Sequence, residues 1–249
     1  MTKLLDRLDE FNKKRTFGFF EDFHSFDKSA TAASALKIDS LTADSSSAST
    51  LVLCKATTGA TGGVLSLTQD ATDNDELYIF STQALFLFAN NKPAIFECRS
   101  QYSEGATNAN NVMMGFVSSK AANTIIDDGG GPVASGTMAV IYKLDGGTVW
   151  RCRSQIGAAV GQTDTVSAST AGGSSYQTHT IEFNPYSSTN AYVNYYMDGV
   201  PLLDANGKAI VHDLVYTNAV NCYAFFGVKT GSATAEVNLL DYMAAYQLR

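Results

Sequence analysis

Residues 176–199 read YQTHTIEFNPYSSTNAYVNYYMDG, and they give the clearest indication of the fold class. Apolar and polar side chains alternate in both of its halves, which gives each half one apolar face. The two apolar faces consist of His179, Ile181 and Phe183 in the first half and of Val193, Tyr195 and Met197 in the second. Because successive side chains of a β-strand point to opposite faces, this period of two predicts two strands that are each buried on one face.

Similar runs recur along the chain after residue 28, separated by stretches rich in Gly, Asn, Asp, Ser and Thr. No amphipathic pattern of helical period lies between them, which argues against alternating strands and helices and favours an antiparallel β-sandwich or barrel. The other predicted strands are Leu51–Lys55, Gly63–Thr68, Glu76–Phe80, Ala84–Phe88, Ala94–Gln101, Val112–Ser118, Gly136–Lys143, Thr148–Ser154, Asn221–Lys229 and Ala235–Gln247.

Two glycine-containing turns indicate how some of these strands connect. Asp145-Gly146-Gly147 predicts a hairpin over Gly136–Ser154, and Asp198-Gly199 predicts a tight turn between two strands. Trp150 in this hairpin is the best single marker of the core. Small polar residues predict surface loops at Ala43–Thr50, Ala56–Gly62, Ser103–Asn111, Asp127–Gly131 and Ser167–Ser175.

The first 28 residues hold 12 of the 41 charged residues, which divides the chain into an arm (residues 1–28) and a body (residues 29–249). The arm begins with an apolar stripe at helical spacing, formed by Leu4, Leu5, Leu8 and Phe11. An isolated helix of about 15 residues is only marginally stable in water. We therefore expect the helix of the arm to pack on the body of its own chain, to dock on another chain or to stay disordered until it binds.

Five phenylalanines follow within ten residues, from position 17 to position 26. Rings of this size are a liability when they are left in water. We therefore predict a strand here that anchors the arm to the body, with Phe17, Phe19 and Phe20 among its apolar contacts.

Composition argues against several functions. The formal charge of −7 disfavours a nucleic acid as partner, because such binders need many contacts from basic side chains to phosphates. No apolar run reaches the length of a membrane span, and residues 1–15 lack the apolar segment of a signal peptide. The four cysteines form no paired motif and predict buried free thiols, and three scattered histidines give no zinc spacing.

The order of several short motifs resembles that of concanavalin A-like (laminin-G-type) jelly rolls, in particular small structural proteins of tailed-phage virions. The motifs are Phe19-Phe20-Glu21-Asp22-Phe23, Gly62-Gly63-Val64-Leu65-Ser66-Leu67, Lys92-Pro93-Ala94-Ile95-Phe96-Glu97-Cys98-Arg99, Met114-Gly115-Phe116, Tyr195-Tyr196-Met197-Asp198-Gly199, Leu240-Asp241-Tyr242 and Gln247-Leu248-Arg249. The resemblance covers residues 17–249 and implies an all-β sandwich with a short helical arm.

The resemblance also implies a role, namely a non-enzymatic capsid decoration or cement protein on the surface of the virion. Its partners would be the major capsid protein and further copies of itself, arranged as a homotrimer, with no cofactor, nucleic acid or membrane involved. The expected contacts are Leu4, Leu5, Leu8, Phe11, Phe17, Phe19 and Phe20. Binding to the assembled lattice and not to free subunits would stabilise the capsid by mass action.

A second hypothesis is a carbohydrate-binding module of a phage fibre or adhesin. Tyr192 and Tyr196 share the polar face of one predicted strand, and Tyr216 follows nearby in the sequence. Aromatic rings at exposed positions are the cue for this hypothesis.

A glycoside hydrolase is the third hypothesis, because hydrolases with this fold place two carboxylates in one cleft. The Glu-x-Asp-x-Glu pattern of the laminarinase-like families is missing, and Glu97 and Glu182 lie alone on separate predicted strands, where we expect them to face solvent. No Gly-x-Ser-x-Gly elbow is present, and we expect His179 to be a hydrogen-bonded core residue and His212 to lie at a strand edge.

Calcium is an alternative that the resemblance raises, since laminin-G and legume-lectin relatives bind it with loop carboxylates and carbonyls. The candidates are Asp70, Asp73, Asp75, Asp127, Asp128 and Asp164. No Asp-x-Asp-x-Asp-Gly calcium loop occurs, so we favour loop solubility and local turns as the role of these residues.

Overall fold

The computed structural model describes residues 16–23, 37–38, 40–45, 53–56, 63–69, 71–104, 106–157, 163–173 and 175–249. Within these ranges the chain forms twenty β-strands and no helix. The strands are β1 (Thr16–Glu21), β2 (Lys37–Ile38), β3 (Leu41–Ser45), β4 (Leu53–Ala56), β5 (Leu65–Thr68), β6 (Glu76–Ser81), β7 (Phe86–Phe88), β8 (Ala94–Ser103), β9 (Asn110–Val117), β10 (Ile125–Ile126), β11 (Gly131–Pro132), β12 (Met138–Lys143), β13 (Val149–Gln155), β14 (Thr163–Thr170), β15 (Gln177–Pro185), β16 (Asn190–Met197), β17 (Val200–Pro201), β18 (Val211–Val215), β19 (Val220–Thr230) and β20 (Val237–Leu248).

Two antiparallel sheets form the sandwich. The first sheet has the order β17-β16-β15-β8-β20-β5-β4, with β1 also paired to β20 and β18 also paired to β16. The second sheet has the order β14-β13-β12-β9-β19-β6-β3-β2, with β7 also paired to β19. The prediction of an all-β antiparallel sandwich is therefore confirmed. No helix among the described residues is both long and apolar enough to cross a bilayer.

Aromatic side chains fill the space between the two sheets. Phe116 of β9 lies at the centre, with its ring centroid 5.3 Å from that of Phe86, 5.5 Å from that of Phe88 and 5.9 Å from that of Phe96. Phe88 also stacks on Phe183 at 4.1 Å, which links the second sheet to β15 of the first. Rings of this size supply much of the buried apolar area of a core, so this group contributes strongly to the packing between the sheets.

A smaller apolar cluster lies on the outer face of the second sheet. Ile125 of the β10–β11 hairpin and the nearby Val133 pack there against side chains of β6, β9, β12 and β19. As a result β6, β9 and β12 are buried on both faces. Their near-continuous apolar sequences, which lack the strict alternation of β15 and β16, follow from this double burial.

The predicted connections are confirmed. β12 and β13 pair as the hairpin over Gly136–Ser154, and Trp150 is only 1% exposed. Asp198 and Gly199 connect β16 to β17 with φ angles of 50° and 77°, a conformation that glycine adopts without strain. Cys98, Cys152 and Cys222 are buried free thiols, as expected.

Several boundaries differ from the prediction. The expected loop at Ala43–Thr50 begins inside β3, where Ala43 is buried, and the expected loop at Ser167–Ser175 begins inside β14. β14 consists mostly of small polar residues and is held by its pairing with β13. Strands of this kind owe their conformation to the neighbouring strand, so hydrophobic patterning does not detect them.

The anchoring strand predicted for the arm is β1. All six of its residues pair with β20. Phe17 and Phe19 pack on Phe86 of the chain's own core, with ring centroids 5.6 Å and 6.3 Å away. Phe20 points outward, stacks on Tyr242 at 5.4 Å and is 43% exposed. Leu4, Leu5, Leu8, Phe11 and the predicted helix lie outside the described residues, and the proposed boundary at residue 28 stays a prediction.

Truncation of the central ring tests this description of the core. We expect Phe116→Ala to lower the free energy of unfolding by about 3–5 kcal/mol, because it leaves a cavity among three other rings. The matched control is Phe20→Ala, an exposed ring whose loss costs about 1 kcal/mol or less. Urea denaturation followed by circular dichroism measures both, and similar losses for the two variants would contradict this assignment of the core.

Candidate functional site

Two exposed tyrosines stack on each other at the edge of the first sheet. Tyr192 lies on the outward face of β16, and Tyr186 lies in the turn between β15 and β16. Their ring centroids are 4.4 Å apart with an interplanar angle of 23°, and they are 45% and 49% exposed. Two exposed rings in contact form an apolar surface patch, and such patches often mark binding sites, so this pair is the first candidate for a site.

The turn that carries Tyr186 is held by hydrogen bonds of its own. The backbone N–H groups of Tyr186 and Ser187 both donate to the Asn190 carbonyl, at 3.1 Å and 3.3 Å. The Asn190 N–H in turn donates to Ser187 Oγ at 2.9 Å. The buried Tyr216 supports the turn from below by donating its hydroxyl to the Ser187 carbonyl at 3.0 Å. The position of Tyr186 is therefore fixed without any ligand.

Asp213 of β18 lies beside the two rings, since it is the direct cross-strand partner of Tyr192. The Tyr186 hydroxyl donates to both carboxylate oxygens of Asp213, at 2.9 Å and 3.0 Å. This hydrogen bond to the carboxylate is the main reason why the pKa of Tyr186 is raised to about 12. Asn190 Nδ2 also lies 3.4 Å from Asp213 Oδ1. We call Tyr186, Asn190, Tyr192 and Asp213 the tyrosine platform.

The tyrosine platform combines flat apolar ring faces with a carboxylate and an amide at their edge. The rings offer a surface for an apolar face of a ligand, and a charged carboxylate forms stronger hydrogen bonds to hydroxyl groups than a neutral acceptor does. A ligand that has both C–H faces and hydroxyl groups matches this combination.

Of the tyrosines named from the sequence, Tyr192 belongs to the tyrosine platform and the other two have different surroundings. Tyr196 shares the outward face of β16 with Tyr192, but it is partly buried and its hydroxyl donates to Glu182 Oε2 at 3.2 Å. Tyr216 is buried beneath the turn. Tyr186 and Asp213 were not identified from the sequence, although the Pro185-Tyr186 pair at the start of a hairpin loop was a signal for Tyr186.

The two glutamates considered for hydrolysis lie on neighbouring strands and on the same face. Glu97 on β8 is the cross-strand partner of Thr180, and Glu182 is two residues farther along β15. Both are buried, so the expectation that they face solvent was wrong. The hydroxyl groups of Tyr242 and Thr180 donate to the Glu97 carboxylate at 2.8 Å and 3.0 Å. Glu97 is therefore a hydrogen-bond acceptor on the outer face of the first sheet.

His179 is a core residue, as expected, but its ring nitrogens have no hydrogen-bond partner. Its ring packs edge-on against Trp150 at 4.4 Å, and burial lowers its pKa to about 3. The expected hydrogen bond is therefore wrong, because the strand places the ring on the apolar inner face.

His212 lies on β18, as expected for a residue of an edge strand, and its side chain points between the two sheets. Its Nδ1 lies 3.0 Å from Ser154 Oγ and 3.2 Å from the Tyr195 hydroxyl, and its Nε2 lies 3.0 Å from Thr165 Oγ1. Burial lowers the pKa of His212 to about 4, with a smaller opposing effect of Asp164. A neutral His212 thus fastens β18 to β13 and β14.

Two of the carboxylates considered for calcium pair with basic side chains, Asp127 with Lys229 and Asp164 with Arg153. The Lys229 ammonium donates to Glu76 Oε1 at 2.7 Å, to Asn123 Oδ1 at 2.8 Å and to the Ile125 carbonyl at 3.0 Å, and it also pairs with Asp127. No group of three or more His, Cys, Asp or Glu side chains suited to a metal ion occurs among the described residues, a set that excludes Asp70.

Lys143 has a similar environment. Its ammonium donates to the carbonyls of Asn108, Asn110 and Leu144, and it pairs with Glu104 at 2.7 Å. Burial lowers the pKa of Lys143, and Glu104 opposes this effect. At both places the positive charge required by converging oxygens comes from the chain itself.

Comparison with known proteins places the fold. No family model and no curated protein sequence matches the chain. Similar solved structures include the carbohydrate recognition domain of Emp47p (8% identity, 96% of this chain and 100% of that one, TM-score 0.56) and peanut lectin (11%, 93% and 97%, 0.51). A third is the endo-β-1,4-glucuronan lyase of the fungus Trichoderma reesei (10%, 91% and 94%, 0.53).

The fold is the concanavalin A-like, lectin-like β-sandwich. Identities of 8–11% establish a shared fold and nothing finer. Because binding proteins and an enzyme occur among these structures, the fold alone is compatible with either class of function.

The hydrogen bond from Tyr186 to Asp213 can be tested in solution. We expect Asp213→Asn to bring the pKa of Tyr186 from about 12 down towards the ordinary value of 10.0, because the acceptor loses its negative charge. NMR of ¹³C-labelled tyrosine measures the titration, with Tyr186 assigned from a Tyr186→Phe variant. The control is Asp204→Asn, which removes a carboxylate that is hydrogen-bonded to the backbone of its own turn. It should leave the pKa of Tyr186 unchanged. An unchanged Tyr186 in Asp213→Asn would contradict the platform geometry.

The two buried histidines predict a loss of stability in mild acid. Both have pKa values lowered in the folded state, to about 3 and about 4, so between pH 6.5 and 4 the unfolded chain binds protons that the folded chain does not. From pH 8 to pH 5 we expect a loss of about 2 kcal/mol for each histidine.

Urea denaturation at a series of pH values between 8 and 5 measures this loss. His179→Leu replaces a ring that has no hydrogen-bond partner and should remove about half of the pH dependence. A pH profile of His179→Leu that matches that of the unmodified protein would show that His179 is not buried in its neutral form.

Proposed function

We propose that this protein is a carbohydrate-binding, lectin-like module and that the tyrosine platform is its binding surface. The observation that carries the proposal is the exposed, stacked pair Tyr186 and Tyr192, with Asp213 hydrogen-bonded at its edge. A sugar ring has a C–H face that packs on an aromatic ring and hydroxyl groups that donate to a carboxylate. These are the two kinds of contact that the tyrosine platform offers.

The rigidity of the tyrosine platform supports the proposal. The turn is held by backbone hydrogen bonds, and Tyr186 is fixed at both its ring and its hydroxyl. A surface that is already ordered loses little conformational entropy when a ligand binds, which favours useful affinity from a small contact area.

Charge indicates the class of glycan. Asp213 is exposed at the tyrosine platform, and the whole chain carries a formal charge of −7. A carboxylate of a uronic or sialic acid would therefore meet repulsion, whereas a neutral hexose would not. Neutral glycans are the proposed ligands.

Two structures with the same fold bear names that agree with this proposal, a carbohydrate recognition domain and a lectin. They support the proposal as analogies of fold, and the residues of the tyrosine platform carry the chemical argument.

A glycan array followed by calorimetric titration of the best neutral glycan tests the proposal. We expect Tyr192→Ala to weaken binding about tenfold or more, because it removes one ring and the stacking partner of the other. Phe20→Ala removes an equally exposed, stacked ring elsewhere on the first sheet and should bind like the unmodified protein. A blank array, or equal affinities of Tyr192→Ala and the unmodified protein, would overturn the proposal.

A role as a capsid decoration protein is a second proposal. It rests on the apolar stripe predicted for residues 4–11 and on Phe20, whose ring β1 leaves exposed on the surface. We expect deletion of residues 1–15 to abolish binding to phage particles while β1 and the circular dichroism spectrum are retained. Binding of the shortened protein to particles would exclude this role of the arm, and absence of the chain from purified virions would exclude the second proposal altogether.

A further inference from the structure

A pocket of about 330 Å³ lies at the start of β18, next to the edge strand β14 of the second sheet. It is lined by Thr165 of β14, by residues 204 and 208–210 of the preceding turn, and by Val211 and His212 of β18. This volume is at the lower end of the range found for small-molecule sites, so it has room for a single ring and not for a chain.

The pocket and the tyrosine platform share one strand. Val211 lines the pocket, and it lies on the same outward face of β18 as Asp213, two residues or about 7 Å away. Asn194 is the cross-strand partner of Val211, as Tyr192 is of Asp213. A ligand that lies on the platform and extends along β18 therefore reaches the pocket by way of Asn194 and Val211.

The wall of the pocket is ordered by hydrogen bonds. Asp204 Oδ1 accepts the backbone N–H groups of Asn206 and Lys208, both at 2.9 Å, and the Asp204 N–H donates to the Lys208 carbonyl at 2.8 Å. These bonds to backbone N–H groups lower the pKa of Asp204. The Leu203 carbonyl accepts the N–H of Ala168 on β14 at 2.8 Å, which ties the turn to the second sheet.

The chemistry of the lining is mixed and balanced in charge. Thr165 provides a hydroxyl group, whose Oγ1 lies 3.0 Å from His212 Nε2, while Ile210 and Val211 provide an apolar wall. Lys208 and Asp204 contribute one charge of each sign. Hydroxyl-bearing ligands with an apolar face and no net charge fit such a lining.

We propose that this pocket is a second subsite, which accepts one further neutral sugar residue of the glycan bound at the tyrosine platform. The inference rests on the proposed carbohydrate-binding function. It assigns the ligand as an oligosaccharide, because a monosaccharide cannot occupy both places.

A length series tests the proposal. Calorimetry with a mono-, di-, tri- and tetrasaccharide of the same neutral sugar should show an increase in affinity of about tenfold once the chain is long enough to reach the pocket. We expect Ala209→Trp, which fills the pocket from its exposed rim, to abolish this increase and to leave the affinity for the short ligands unchanged. Thr165→Val, which removes one hydroxyl at nearly constant volume, should reduce the increase.

The outcomes separate the two proposals. Loss of binding of all lengths in Tyr192→Ala, together with a length effect lost only in Ala209→Trp, supports both. An affinity that does not grow with length, or a length effect retained in Ala209→Trp, overturns the second subsite and leaves the tyrosine platform standing. If no glycan of any length binds the unmodified protein, the proposed function and the subsite fail together.

Discussion

The pairing of β16 with β18 is the constraint on which the candidate site depends. It places Asp213 opposite Tyr192, so that the carboxylate can hold Tyr186 over the neighbouring ring. Because side chains alternate along a strand, a shift of this register by one residue would turn Asp213 inward and expose His212 instead. The bonds of His212 to Ser154 and Thr165 of the second sheet oppose such a shift, since they fix which face of β18 points inward. Adjacent residues of one strand therefore serve the fold on one side and the candidate site on the other.

The sequence predicted the parts of the fold in which apolar patterning is strong. The alternation of β15 and β16, the hairpin around Asp145 and the burial of Trp150 all follow from local residue types. β14 was missed because its sequence is mostly small and polar and its conformation depends on a neighbour. The site was only half predictable for a similar reason. The exposure of Tyr192 follows from alternation, whereas its contacts with Tyr186 and Asp213 depend on a turn and on a cross-strand register that are set by tertiary structure.

Charged and polar groups in the sandwich have structural roles that residue type alone does not reveal. Glu97 and Glu182 were expected in solvent, yet both are buried on the sheet face. Lys143 and Lys229 are surrounded by carbonyl and carboxylate oxygens. Their ammonium groups supply the positive charge that balances these oxygens. A buried charge is costly unless a nearby group compensates it, so these charged groups need hydrogen-bond or ion-pair partners within the chain. At the tyrosine platform, by contrast, polar groups remain open to solvent. The shared fold with lectins and a lyase leaves the function to be decided by such local chemistry.

NMR of the two tyrosine rings during the addition of a glycan tests most directly whether the tyrosine platform binds carbohydrate. With ¹³C-labelled tyrosine, titration of a neutral oligosaccharide should shift the ring signals of Tyr186 and Tyr192 together and saturably. The signals of the buried Tyr78 on β6 of the second sheet and of the partly buried Tyr246 on β20 should stay in place. Saturable binding that leaves the signals of Tyr186 and Tyr192 unmoved, or shifts those of tyrosines elsewhere, would contradict the assignment of the tyrosine platform as the binding surface.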